Sequence, residues 1–189
     1  MSTTNLFVEL IVIGVGAATW VVLLVLALFG YAWVPVDRLF SPPAAIPLLA
    51  VVYVLGIISD RIADVVFQWR WNDDLLDLHY SDRADYFSDR RRILTQSERF
   101  SELLEYGRSR LRICRGWAFN SVLIAVALNA FLWSIKGEQG FAWAVSIAGS
   151  VSMLVFALAA WFAWRKLVMN EYRKIREQAE YLEQLSGSE

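Results

Sequence analysis

Four apolar runs, each long enough to cross a bilayer as a helix, leave this chain few ways to fold. They cover residues 6–29, 47–69, 116–135 and 141–164. About 20 helical residues cross the roughly 30 Å hydrocarbon layer. A soluble domain of 189 residues has no need of four such runs. In lipid, an isolated segment satisfies its backbone polar groups internally as a helix. The balance of residues agrees: 57% are hydrophobic and nine are Trp, with a mean hydropathy of +0.42. The sequence therefore predicts an all-α polytopic membrane protein with four transmembrane helices and a cytosolic helical module. Residues 1–71 hold spans one and two, 72–115 a cytosolic helical segment, 116–164 spans three and four, and 165–189 a cytosolic C-terminal helix with a disordered tip.

Local signals mark the ends of these segments. No Lys or Arg precedes the first run, so it reads as a retained helix and not as a cleaved signal peptide. Gly14 and Ala18 have the spacing of close helix contacts. Pro35, Pro42 and Pro43 break the chain between residues 30 and 44. Span two begins at Pro47, or at Leu39 if the run is read generously, and Trp69 and Trp71 mark its far interface. Residues 72–92 read as a broken helical stretch. Thr95 and Glu98 fit a capping box that opens a new helix carrying Phe100, Leu103, Leu104 and Leu111, which ends in the basic residues 108–115. Within span three, Asn120 and Asn129 are expected to hydrogen-bond across helices. Ala142, Ser146 and Ser150 form a small-residue ridge on span four, and residues 136–140 a tight turn before it.

Charge segregation gives an orientation. Lys and Arg crowd into residues 70–115 and 165–176, while the other two loops hold only Arg38 and Lys136. The positive-inside rule then places the central segment and both termini in the cytoplasm, in a bacterial inner membrane. The net charge of −1 gives no global attraction to nucleic acid, and no direct nucleic-acid partner is expected. One cysteine, Cys114, and one histidine, His79, exclude an intrachain disulfide and most metal or His-based chemistry. No phosphate-binding glycine loop, nucleophile elbow or HExxH is present. The expectation is a non-enzyme without cofactor or metal.

The candidate site is a charged stripe inside span two. On a helix, Tyr53, Gly56, Asp60, Asp64, Phe67 and Trp71 share one face, with Arg61 beside it. Ionisable groups at membrane depth suggest function. Asp60, Arg61, Asp64 and Glu9 are read as an intramembrane polar site, with Arg61 the counter-ion of Asp64 or Glu9. One reading makes the stripe an acidic pore lining in an oligomer; the other makes it a satisfied ion pair near the headgroups. Arg108, Arg112 and Arg115 share a juxtamembrane face and, with Arg90, Arg91 and Arg92, are expected to meet anionic lipid or a phosphate-bearing ligand. In the tail, Val168, Tyr172, Ile175, Ala179 and Leu182 follow coiled-coil spacing. They serve self-association, or packing against Phe100, Leu103, Leu104 and Leu111 of the same chain. The sequence thus points to a homo-oligomeric channel or pore-type effector, in contact with membrane lipids and gated by its cytosolic module. The alternative is a non-conducting sensor or scaffold that recruits a cytosolic protein partner, for instance in a stress or phage-defence system. A lipid enzyme using Asp60 and Asp64 ranks third.

Overall fold

The computed structural model describes residues 3–34, 42–80, 82–96, 98–135 and 139–186. Side chains 3–5, 72, 96, 98–105, 139, 141, 182, 183, 185 and 186 lie outside that description. So do the expectations placed on Leu39, Arg38, Lys136, the side chains of Phe100, Leu103, Leu104 and Leu182, and the tip after Ser186.

The described chain is all-helical: α1 Thr3–Phe29, α2 Pro42–Phe67, a π-helical turn Gln68–Asn72, α3 Asp73–Asp77, α4 Arg83–Gln96, α5 Glu98–Ser134 and α6 Gln139–Ser186. Four helices are long and apolar enough to cross a membrane, compatible with a multi-pass membrane protein. Gly30 closes α1 at φ +73°, its N–H donating to the Leu26 carbonyl at 2.9 Å, a left-handed cap that glycine adopts without steric cost. α2 begins at Pro42, five residues ahead of the expected start. Proline suits a helix's first turn, where its missing N–H has no partner to lose.

The long helices pack in the order α2–α1–α5–α6, and α2 also reaches α5. At the α1–α2 crossing the backbones nearly touch. A Cβ on Gly14 would stand 2.0 Å from the Val52 carbonyl oxygen, and one on Gly56 2.0 Å from that of Leu10. Only glycine on both helices permits this approach. Gly116 gives α5 similar access to Ile13 of α1. The span of α6 buries little against its neighbours, mainly Ser146, Ala157 and Trp164, and leaves an apolar flank suited to lipid.

α5 and α6 run without a break from apolar to polar sequence, so the boundaries expected at 115/116 and 164/165 fall mid-helix. The 48 residues of α6 span about 70 Å, more than twice the hydrocarbon layer, so much of the helix must lie outside it. Toward the polar end of α6, Val168, Tyr172, Ile175 and Ala179 join a buried core with Leu75, Leu76, Tyr80, Tyr86 and Ile93, and Leu111 packs at its margin. Among the described residues the heptad face is therefore covered within this chain by Leu75, Leu76, Tyr80, Tyr86 and Ile93, with Leu111 at the edge. Thr95 does not open α5. It ends α4, its hydroxyl donating back to the Arg92 or Arg91 carbonyl at 2.9 or 3.1 Å, a local bond that competes with an N-cap role.

Candidate functional site

Like its neighbour Ser121, Asn120 of α5 is fully enclosed. Its Nδ2 donates to the Ile13 carbonyl at 3.0 Å. Its Oδ1 accepts from Ser59 Oγ at 2.8 Å and from Trp20 Nε1 at 3.2 Å. One amide thus joins α1, α2 and α5. Asn129 repeats the device toward α6, donating to Ser150 Oγ at 2.7 Å and accepting from Ser146. Both asparagines therefore bridge helices, and the small-residue ridge supplies the hydroxyls.

Below Asn120, where α5 leaves its apolar run, lies a charged cluster. Arg115 donates through Nη2 to Asp60 Oδ1 at 2.8 Å and through Nη1 to Asp64 Oδ1. Asp60 is 6% exposed. The two carboxylates, one turn apart on α2, grip the two terminal nitrogens of a single guanidinium, whose planar fork suits such a pair. Arg112, nearly one turn away, faces Glu9 of α1 across 3.8 Å. Three carboxyl groups therefore meet two guanidinium groups among three helices. The match is incomplete: both Glu9 oxygens and Arg115 Nε are buried without a hydrogen-bond partner among the described residues. A cavity of about 140 Å³ opens beside Arg115 and Asp64, lined also by Gln68, Arg108, Glu171 and Trp164 among others. It has room for about four waters by their share of liquid volume, and its charged walls would bind them.

Glu9, Asp60 and Asp64 thus come together as a polar site, but Arg61 does not join them. It is exposed on the flank of α2 beside them and makes no ion pair with a described residue. Its spacing from Asp64 permits a contact along one helix, yet packing offers Asp64 an arginine from another helix in a drier place. The basic row is divided too. Arg112 and Arg115 turn inward to carboxylates and Arg108 lines the cavity, so they do not form one lipid- or phosphate-facing surface. Arg90 is half-buried between Tyr86 and Glu171, Arg91 is exposed and Arg92 half-buried. Arg115 as the shared partner of both aspartates escaped the sequence reading. The available signal was depth: Arg115 opens span three at the same end where Asp60 and Asp64 close span two.

In the polar end, burial, reinforced by the Asp89 carboxylate, pushes the Tyr80 phenol well above its ordinary range. Burial also raises Tyr86, against the opposing pull of Arg90. Both therefore act as neutral packing groups. Tyr86 meets Tyr172 edge to face at 5.2 Å, and the His79 ring lies 6.2 Å from Tyr172, so His79 sits half-buried at the margin of this aromatic core. Among the described residues no group of His, Cys, Asp and Glu is arranged to hold a metal. No family model, curated protein or solved structure matches the chain.

Proposed function

We propose that this protein is a non-enzymatic, non-conducting membrane sensor or scaffold. Its polar helical end faces the cytoplasm, as the Lys and Arg distribution favours, and recruits a cytosolic protein there. One observation carries the reading. Arg115, which binds both span-two aspartates, lies on a helix that continues without interruption into the polar end. Any change in the charged cluster thus alters the seating of α5, and α5 transmits it as a rigid element. The pore reading drew its support from an acidic stripe free to face an oligomer axis. Asp60 instead faces Arg115 inside the protomer, so the stripe lends that reading no support.

The test has two parts. Reconstituted into liposomes, the full chain is expected to pass no more cation than empty vesicles. Flux that changes with Asp60→Asn or Asp64→Asn would restore the channel. Asp64→Asn spares the Asp60–Arg115 bond and is expected to raise amide hydrogen exchange in α4, far along the chain from the substitution. Unchanged exchange there would end the coupling argument.

A further inference from the structure

A second recess lies on another side of Trp164, where the π turn hands α2 over to α3 and both pack on α6. It measures about 340 Å³ and is lined by Trp71, Asp74, Leu75, Trp161, Trp164 and Arg165, with Leu78 at its mouth. The Trp71 ring stands 6.2 Å from Trp161 and 6.5 Å from Trp164, giving an aromatic floor. Three polar groups on its walls lack a hydrogen-bond or ion-pair partner among the described residues. The Trp161 Nε1–H is buried without an acceptor. Asp74 and Arg165, of opposite charge, make no ion pair with a described residue, nor with each other; Arg165 instead lies over the Trp161 ring at 5.7 Å. Leu158 and Phe162 continue the recess as exposed apolar surface along α6. Tryptophans gathered at the end of an apolar span mark the membrane–water boundary.

A site with an anionic edge, a cationic edge that does not neutralise it, an orphaned N–H and an aromatic floor is complementary to a zwitterion. We propose that this recess holds the headgroup of an ethanolamine phospholipid. Its phosphate accepts from Trp161 Nε1 and Arg165. Its primary ammonium donates to Asp74 and rests against the tryptophan faces, where a cation is attracted by the ring quadrupole. Its acyl chains follow Leu158 and Phe162 into the bilayer. A choline headgroup has no N–H for Asp74, and a glycerol headgroup has no cation for it. The assignment stands independently of the sensor reading.

The full chain in detergent micelles, titrated with matched-chain phosphatidylethanolamine, phosphatidylglycerol and phosphatidylcholine and followed by native mass spectrometry, tests it. Phosphatidylethanolamine is expected to bind about fivefold more tightly than either other lipid, the effect of one well-placed charge near a membrane surface. Asp74→Asn should abolish that preference. Arg165→Gln should weaken phosphatidylethanolamine and phosphatidylglycerol alike, and Asp77→Asn, on the same short helix, should change nothing. Trp161→Phe keeps the aromatic packing and removes only the N–H, so its loss of affinity carries the test if a charge variant melts early. Equal binding of the three lipids, a preference for phosphatidylglycerol, or a preference that survives Asp74→Asn would overturn the proposal. Free phosphoethanolamine binding as tightly as the lipid would overturn it in favour of a soluble ligand.

Discussion

Two polar clusters lie little more than one helical turn apart on α5, and they are built on opposite terms. At Asn120 the groups are neutral, and both ends of the amide find partners on α1 and α2. At Arg115 the groups are charged, Glu9 sits at ion-pair distance without a hydrogen bond, and Arg115 Nε is left over. The first arrangement has one good solution and fixes three helices in place. The second has surplus valence and a cavity beside it, so water or a shifted rotamer can satisfy it in more than one way. Buried charge is costly unless fully paired. Incomplete pairing makes the charged cluster the less stabilising of the two arrangements, and is the feature that the proposed sensor role draws on.

This contrast can be broken from either side. The largest expected effect is that of Arg115→Gln, which strands Asp60 and Asp64 without a cation, at about 3–5 kcal/mol. Folded yield in detergent should collapse, and adding Asp60→Asn and Asp64→Asn should recover much of it by removing the charges together. Wild-type yield for the single variant would mean that water already hydrates the cluster. Next is Gly56→Ala, at about 2–3 kcal/mol, because its Cβ would overlap the Leu10 carbonyl. By prising α1 from α2 it should damage both clusters, and a thermal melt unchanged from wild type would show that the helices do not approach so closely. Asn120→Leu removes three interhelical hydrogen bonds, each worth about 0.6 kcal/mol between membrane helices, for a total near 2 kcal/mol. A melt that drops further than that of Gly56→Ala would make Asn120 the keystone. The smallest effect belongs to Arg61→Ala, within about 0.5 kcal/mol, as for exposed positions generally. A loss of yield rivalling that of Arg115→Gln would return Arg61 to the site.

The four spans were readable because lipid imposes length and apolarity without regard to neighbours, and the bridging asparagines because a buried amide must find partners somewhere. The pairing of Asp64 was not readable. Sequence spacing reveals contacts along one helix, and Arg61 satisfied that rule, whereas Arg115 becomes a neighbour only after α2 and α5 pack. The tail illustrates the same limit. Its heptad showed that Val168, Tyr172, Ile175 and Ala179 share a face, but not that Leu75, Leu76, Tyr80, Tyr86 and Ile93 cover it. Gly116 and Thr95 misled because each was read as a boundary from composition and motif alone: α5 runs unbroken through Gly116, and the Thr95 hydroxyl bonds back to a carbonyl of its own helix.

The π turn at Gln68–Asn72 makes chain length itself a variable. A π turn accommodates one residue more than the α-helix it interrupts. That surplus residue sets the phase between the aspartates upstream and Trp71, Leu75 and Leu76 downstream. Deleting one residue within the turn lets it rewind as an α-helix and keeps the phase beyond it, so Leu75 and Leu76 still reach the aromatic core. Closing the turn into an α-helix at the same residue count instead turns everything beyond it by about 100°, taking Leu75 off the aromatic core. The junction between the two ends of the molecule thus tolerates the loss of one residue inside the turn better than a substitution that closes it.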